Sequence, residues 1–262
     1  MGDWGILRAW PFEPLTWALL FVTGWWYVRA SSRIPRVRRL SFTSGLAVLG
    51  LALGSPLATY AHELFSVHMI QHLGITLVAA PLLVLGQPVT VALRSLGPSN
   101  RRYLARLLRS PVISFLTHPA VTWLAFAAAM WFTHFSPLYE GALDNSALHV
   151  LEHALYITVG ILFWLPLMGA DPLPHRLPWP GRIAYLVAAL PQQSFLGLAI
   201  YSANDVLYDH YGSLDDQRVA ALIMWLGGDV LLLGALVWLL ASWMRYEQAQ
   251  TAEFGLEPPT VS

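Results

Sequence analysis

The sequence contains no cysteine and no lysine, and charged residues occupy only 11% of its 262 positions. The absence of cysteine excludes disulfide bonds, thiolate redox chemistry and cysteine-based zinc or copper sites. Any metal site must therefore use histidine, methionine or carboxylate ligands. Because soluble domains carry about 25% charged residues, the scarcity of charge also argues against an ordinary soluble domain.

What is present is strongly apolar, with 56% hydrophobic residues and a mean hydropathy of +0.53. A helix that crosses a bilayer needs about 20 mostly apolar residues. Seven runs approach or meet this length, and they lie at residues 14–30, 41–60, 67–88, 112–133, 147–168, 182–202 and 218–243. The sequence predicts an all-α, polytopic membrane helix bundle with seven transmembrane helices. We expect one transmembrane domain over residues 1–246 and a polar cytoplasmic tail over residues 247–262.

The arginines indicate an orientation for this bundle. All basic residues are arginine, and all except Arg8 and Arg218 follow the first, third, fifth or seventh run. By the positive-inside rule the arginine-rich side is cytoplasmic, so the N-terminus is predicted outside and the C-terminus inside. The N-terminus lacks a basic leader and a small-residue cleavage site. We therefore expect the first run to remain as a membrane helix.

Histidines concentrate at the other side of the predicted bundle. His68 and His72 open the third run, His149 and His153 open the fifth, and His134 closes the fourth. Residues four apart share one face of a helix, and all five side chains fall within about 10 Å of the outer boundary at a rise of about 1.5 Å per residue. Because consecutive helices are usually neighbours, the five imidazoles can belong to one site.

Several imidazoles in apolar surroundings cost free energy unless each is satisfied, and a metal ion would satisfy them together. Neutral imidazole is the commonest metal ligand and suits copper, zinc, iron and nickel. The pattern therefore predicts a metal centre with these ligands: His68, His72, His134, His149 and His153. Additional ligands could come from Glu63, Glu152 and Met130, whose thioether would favour Cu(I).

The remaining polar residues of the runs have local interpretations. His62 and His210 fit loop positions, with a role as extra ligands left open, and His118, just before Pro119, fits the start of a helix. Asp229 lies near the middle of the seventh run, where a carboxylate normally has a partner or a protonation role. It can be hydrogen-bonded to the polar segment 191–194, or it can line a transport path.

Three segments, taken in order, also resemble a known family. They read ELFSVHMIQHLGITLVAAPLLVLGQP, THPAVTWLAFAAAMWFTHFSPLYEGALDNSALHVLEHALYITVGILFWLPLMGADP and DDQRVAALIMWLGGD. They are similar to the seven-span CtaG family of cytochrome c oxidase assembly proteins, associated with caa-type oxidases. The resemblance extends over about residues 11–245.

The resemblance implies a role in maturing a copper-containing oxidase by handling copper, as Cu(I) or Cu(II), for one of its copper centres. The motif histidines of the family correspond to the five named above, with Glu63 and Glu152 beside them. It further implies a delivery protein that is not an enzyme, in the bacterial inner (cytoplasmic) membrane, with its metal site toward the periplasm. The implied partners are oxidase subunits, a soluble extracytoplasmic copper donor and membrane lipid, with no nucleic acid.

Other functions remain open at this point. His149, Glu152 and His153 match the H-x-x-E-H pattern of zinc metalloproteases, in which two histidines bind zinc and the glutamate is the general base. His72 and His153, from separate helices, could instead be the two axial ligands of a haem. Small residues such as Gly45 and Gly50 could support helix contacts in a homo-oligomer.

Overall fold

The computed structural model describes residue 10, residues 14–136 and residues 138–253. All regular secondary structure within these residues is helical, and no strand occurs among them. The predicted all-α class is therefore confirmed. Residues 1–9, which include Asp3 and Arg8, lie outside the described residues. The end of the predicted tail, at 254–262, also lies outside them.

The first half of the chain is a series of helices that differ in length. They are α1 (Pro14–Ala30), α2 (Arg36–Gly54), α3 (Pro56–Glu63), α4 (Phe65–Leu73), a π-helical segment π1 (Gly74–Ala79), α5 (Ala80–Leu85), α6 (Pro88–Ser95), α7 (Pro98–Leu108) and α8 (Pro111–Leu116).

The second half contains the longer helices. They are α9 (Pro119–His134), α10 (Leu138–Asp144), α11 (Ser146–Met168), α12 (Trp179–Tyr201), α13 (Leu214–Leu222), a second π-helical segment π2 (Ile223–Gly227) and α14 (Gly228–Glu253). The last helix thus continues past residue 246 into the region predicted as a polar tail.

Prolines define many of the helix starts. Proline is favoured at the first helical position, because its missing N–H is not needed there and its φ is already helical. Side chains complete three of these starts: Ser55 Oγ accepts from the Leu57 amide, Ser110 Oγ from the Ile113 amide, and His118 Nδ1 from the Ala120 amide. The predicted role of His118 is therefore confirmed. The helices that begin in this way start at Pro14, Pro56, Pro88, Pro98, Pro111 and Pro119.

Four continuous helical stretches are long and apolar enough to cross a membrane: Phe65–Ser95, Ser146–Met168, Trp179–Tyr201 and Leu214–Ala252. The pair α2 and α3, bent by 46° at Ser55, is a fifth if the two helices form one span. Helices α1 and α9 occupy the first and fourth predicted runs but have only 17 and 16 residues. The described chain is a membrane helix bundle, while the count of seven spans and the orientation of the termini stay predictions.

The connections of the helices separate two ends of the bundle. We call the end that holds the start of α4, the end of α9 and the start of α11 the histidine end. We call the opposite end, where α1 finishes and α7 lies, the arginine end. At the arginine end, residues 169–178 are not helical, as their prolines predicted. This loop carries Asp171, which accepts hydrogen bonds from the Val89 amide at 3.2 Å and the Thr90 amide at 2.8 Å.

The polar residue in the last long helix has a partner. Ser194 Oγ on α12 donates to Asp229 Oδ2 at 2.8 Å, which is the hydrogen-bonded alternative expected for the segment 191–194. Gln193 Nε2 donates to the Met224 carbonyl, inside π2, at 2.9 Å. These contacts tie α12 to the π2–α14 stretch.

Two small residues considered for contacts between chains pack within the chain instead. A Cβ on Gly45 would lie 2.9 Å from Leu83 Cγ, and one on Gly50 would lie 3.2 Å from the Trp17 ring. Both glycines therefore allow close approach of neighbouring helices of the same chain.

Candidate metal centre

The first turn of α4 is fixed by a residue from the other end of the sequence. Leu64 precedes the helix and has no side chain able to cap it. Asp216 Oδ2, in the first turn of α13, instead accepts from the Phe65 amide at 2.7 Å and the Ser66 amide at 3.3 Å. A carboxylate that satisfies the first amides of a helix stabilises its start. The turn that carries the next histidine is thereby held in place.

His68 and His72 lie one helical turn apart and are both buried, with 0% and 4% of their surface exposed. Their Nε2 atoms are 2.7 Å apart. The expectation that the i, i+4 spacing points both rings in one direction is met by this geometry.

Hydrogen bonds indicate which nitrogen of His68 is protonated. The Tyr211 hydroxyl donates its hydrogen to the Ala61 carbonyl at 2.9 Å. The same hydroxyl oxygen lies 3.0 Å from His68 Nδ1, so Nδ1 must be the donor in that contact. His68 Nε2 is then the unprotonated nitrogen and points toward His72. Such a contact from the non-binding ring nitrogen is the usual way in which a ligand histidine is oriented.

Glu152 of α11 completes a compact group with these two histidines. One ligand atom from each of His68, His72 and Glu152 lies within 4.8 Å of the other two, and all three side chains are buried. Neither Glu152 oxygen has a hydrogen-bond partner among the described residues, and the same holds for His72 Nδ1. A buried carboxylate without a partner is costly, so this group has the chemistry of a cation site.

His149 and His153, also on α11, lie beside this group. Their ring centroids are 4.3 Å apart. The His149 ring is 6.1 Å from that of His68, and the His153 ring is 6.4 Å from that of His72. Both histidines are half-buried.

His134 approaches from the end of α9. Its ring centroid is 6.1 Å from that of His72, and its Nδ1 lies 2.7 Å from the Met130 carbonyl. Because a carbonyl only accepts, Nδ1 is protonated and Nε2 is the basic nitrogen. The His134 carbonyl accepts from the Tyr208 hydroxyl at 2.9 Å. Burial raises the pKa of Tyr208, so this phenol remains a donor.

The structure therefore brings all five predicted histidines together and treats the three additional candidates differently. Glu152 is inside the group with His68 and His72. Glu63 is exposed at the end of α3 and lines an adjoining cavity together with His149 and His153, outside the inner group. Met130 is buried, and it contacts the cluster through its carbonyl, which accepts from His134 Nδ1, rather than through its sulfur.

Several residues near the site were not anticipated from the sequence. The Tyr156 ring lies against that of His72, with centroids 4.2 Å apart and planes tilted by 55°, and its hydroxyl hydrogen-bonds Thr133 at 2.5 Å. Tyr211 and Asp216 reach the site from positions more than 140 residues away from α4. His62 belongs to helix α3, not to a loop, and its ring lies 4.6 Å from that of His149. Tyr208 and Tyr211 flank His210 in the sequence, but no local pattern marks Tyr156 or Asp216 as a neighbour of the histidines.

The helices that carry His72 and Glu152 are also joined below the histidine cluster. In π1, the Thr76 hydroxyl donates to the His72 carbonyl at 2.7 Å, and the Thr76 carbonyl accepts from Trp164 Nε1 at 2.9 Å. A Cβ on Gly160 would lie 3.2 Å from the Ala80 Cβ, so α11 approaches this segment closely. The positions of His72 and Glu152 are thus set relative to each other.

Comparison with known proteins agrees with the resemblance seen in the motifs. The family described as cytochrome c oxidase caa3 assembly factor (Caa3_CtaG) matches residues 19–246. An uncharacterized protein of Mycobacterium leprae is 30% identical over 91% of the chain, and uncharacterized proteins of Mycobacterium bovis and Mycobacterium tuberculosis are 31% identical over 93%. The chain spans 40% of the length of these curated relatives.

No solved structure matches the chain. The family match nevertheless covers all the helices that carry the site, from α4 to α13. The chain therefore belongs to the cytochrome c oxidase caa3 assembly factor family.

Proposed function

We propose that this protein is a membrane-embedded assembly factor that binds copper at the histidine end and supplies it to a cytochrome c oxidase. One observation carries the proposal: His68, His72 and Glu152 place three buried ligand atoms within 4.8 Å of one another. The family match supplies the context of oxidase assembly.

The donor set supports copper as the cargo. Imidazoles bind copper well, and the site contains no thiolate, because the chain has no cysteine. Thiolates would hold Cu(I) tightly, whereas a site of imidazoles and one carboxylate can give the ion up to a partner. His134, His149 and His153 surround the inner group and provide alternative ligands during exchange.

The packing around the rings supports a bare ion over a haem. A porphyrin between His72 and His153 would need a wide flat space between the two rings. Tyr156 stands 4.2 Å from the His72 ring, and His149 stands 4.3 Å from the His153 ring. Both rings are thus closely flanked by other side chains, which favours a small ion over a macrocycle.

The placement of Glu152 supports a role in binding rather than in hydrolysis. A metalloprotease glutamate acts on a metal-bound water and is not itself a ligand. Here a Glu152 oxygen lies within 4.8 Å of a ring nitrogen of His68 and of His72, close enough for all three to bind one ion. We therefore propose a delivery protein without hydrolytic activity, in which Glu152 neutralises and holds the ion.

The charge distribution supports an orientation with the histidine end outside the cytoplasm. Arginines dominate the arginine end, and cytoplasmic segments are the ones that carry excess arginine. The proposed partners on the outer side are an oxidase subunit that accepts the ion and a soluble copper donor that provides it. The proposed location is the bacterial cytoplasmic membrane.

The test is elemental analysis of the purified protein after copper loading and removal of loosely bound ions. We expect wild-type protein to retain copper, and His68→Ala, His72→Ala and Glu152→Gln each to lose most of it. His118→Gln is the matched control, because His118 is exposed at the arginine end. Equal copper content in the three site variants and the control would overturn the proposal.

The same variants test delivery in cells. Membranes from a strain that depends on this protein should contain oxidase with less copper and less activity when His68 or Glu152 is replaced. Normal oxidase maturation in a strain whose purified variant no longer binds copper would show that copper binding is unrelated to assembly.

A further inference from the structure

A cavity of about 520 Å³ lies next to the histidine cluster and shares His149 and His153 with it. Its walls are apolar residues of α1, α2 and α11, among them Leu20, Leu49 and Ile157. Its polar end is formed by four side chains with metal-binding atoms: His62, Glu63, His149 and His153. The cavity thus connects an exposed part of α3 with the helix that carries Glu152.

The imidazoles form a series of short steps that begins at the exposed residue. The His62 ring is 4.6 Å from that of His149, with the two planes 30° apart. His149 is 4.3 Å from His153 and 6.1 Å from His68. Neighbouring rings are therefore close enough for one ion to contact nitrogens of both.

Exposure falls along the same series. His62 and Glu63 are exposed, His149 and His153 are half-buried, and His68 is completely buried. An ion that arrives from outside reaches His62 first, because the inner group has no exposed member.

We propose that His62 and His149, with Glu63 beside them, form an outer acceptor position for the incoming metal ion. From this position the ion passes to His153 and then to the inner group of His68, His72 and Glu152. The inference rests on the proposed function, and it adds an entry site that is distinct from the resident site.

The transfer requires only ligand exchange. At each step the lone pair of the next imidazole nitrogen binds the ion before the bond to the previous nitrogen breaks. The ion keeps its oxidation state, and no electron donor or acceptor takes part. His149 belongs to both neighbouring steps, since its ring contacts His62 on one side and His153 on the other.

The test is a time-resolved loading measurement on the full-length protein in detergent. Cu(I) is supplied as its bicinchoninate complex, whose colour decreases as the protein takes the ion. We expect His62→Ala to load at least about tenfold more slowly than wild type, with an unchanged final copper content. His118→Gln, which replaces an exposed histidine at the arginine end, should load at the wild-type rate.

Two results would overturn the entry site. Loading of His62→Ala at the wild-type rate would show that the ion does not pass through His62. Loss of final copper content as large as in His68→Ala would show that His62 is a ligand of the resident site. Failure of the proposed function looks different, because wild type and His68→Ala would then retain equally little copper.

A second variant isolates the outer position. In the double variant His68→Ala/His72→Ala the inner group is lost, and we expect a weaker copper affinity that disappears when His62→Ala is added. Equal residual binding with and without His62 would contradict the assignment.

Discussion

The Nε2 atoms of His68 and His72 face each other at 2.7 Å, and both rings are buried. Two imidazole nitrogens approach this closely only when one proton lies between them. Since the contacts of His68 with Tyr211 assign the protonated nitrogen of that ring to Nδ1, the shared proton belongs to His72. In the proposed site, an ion between the rings would displace this proton, which could move to the other ring nitrogen of His72, Nδ1, since that atom has no hydrogen-bond partner among the described residues.

Replacing Tyr211 by phenylalanine tests how far that arrangement depends on the hydroxyl. Without it, His68 loses the contact that orients its ring, and metal affinity should fall by roughly 10–100-fold, as is typical for such partners. The copper stoichiometry should stay the same. Competition with a chromogenic chelator measures the affinity.

Tyr60→Phe is the control for this substitution, because Tyr60 lies on α3 with its side chain exposed. An affinity of Tyr211→Phe equal to that of Tyr60→Phe would show that the hydroxyl does not orient His68.

Removal of the Asp216 carboxylate should loosen the start of α4. Asp216→Ala leaves the Phe65 and Ser66 amides without their acceptor, and loss of a cap of this kind costs about 0.5–2 kcal/mol. Asp216→Asn keeps one oxygen acceptor and should cost less. Thermal unfolding in detergent gives the order of stabilities, and Asp215→Ala, at an exposed neighbouring position, is the control. An Asp216→Ala protein as stable as Asp215→Ala would contradict the capping role.

Asp171 should make stability depend on pH. Burial raises the pKa of its carboxyl, although hydrogen bonds from Thr90 and Val89 act in the opposite direction. A carboxyl whose pKa is higher in the folded than in the unfolded state stabilises the fold at low pH and loses this contribution as pH rises through the raised value. The melting temperature of the wild-type protein should therefore decrease as the pH rises above the usual pKa range of aspartate.

The variant Asp171→Asn should show a smaller decrease over the same pH range, because its side chain does not ionise. Asp215→Asn, at an exposed site, should follow the wild-type curve. Parallel curves for wild type and Asp171→Asn would mean that Asp171 does not contribute to the pH dependence.

A methyl group on Gly86 should strain the contact between α2 and the end of α5. The Cβ of an alanine there would lie 2.6 Å from Phe42 Cβ, and overpacking of this kind costs about 1–3 kcal/mol. At Gly74 no atom lies within 4 Å of the equivalent position, so Gly74→Ala should be neutral or stabilising by up to about 1 kcal/mol. In detergent, Gly86→Ala should therefore lower the melting temperature relative to wild type, whereas Gly74→Ala should leave it unchanged or raise it.

The sequence predicted the parts of this molecule that depend on local pattern. Apolar runs located the helices, prolines marked their starts, and the i, i+4 spacing placed His68 with His72 and His149 with His153. Because short connections make consecutive helices neighbours, the meeting of α4, α9 and α11 could also be predicted.

Features that depend on contacts between distant residues could not be predicted in this way. Glu63 and Glu152 both stand beside histidines in the sequence, yet only Glu152 faces the inner group. The bend at Ser55 turns α3 away from α2 and leaves Glu63 exposed. Tyr211 and Asp216 reach α4 only because the chain returns to the histidine end after α12, and no local pattern encodes that return.

The π-helical segment after His72 has a consequence for the number of residues that the chain can tolerate there. Thr76 joins the carbonyl of His72 to the indole of Trp164 across this segment, so both helices are registered against it. A π-helical turn contains about one residue more than an α-helical turn, so deleting one residue between Gly74 and Ala79 would leave an ordinary α-helical turn and keep the later part of the helix facing the same way. Deleting one residue between His68 and His72 would instead turn one imidazole by about 100° relative to the other. The site should therefore tolerate the loss of a residue after His72 better than the loss of a residue between the two histidines.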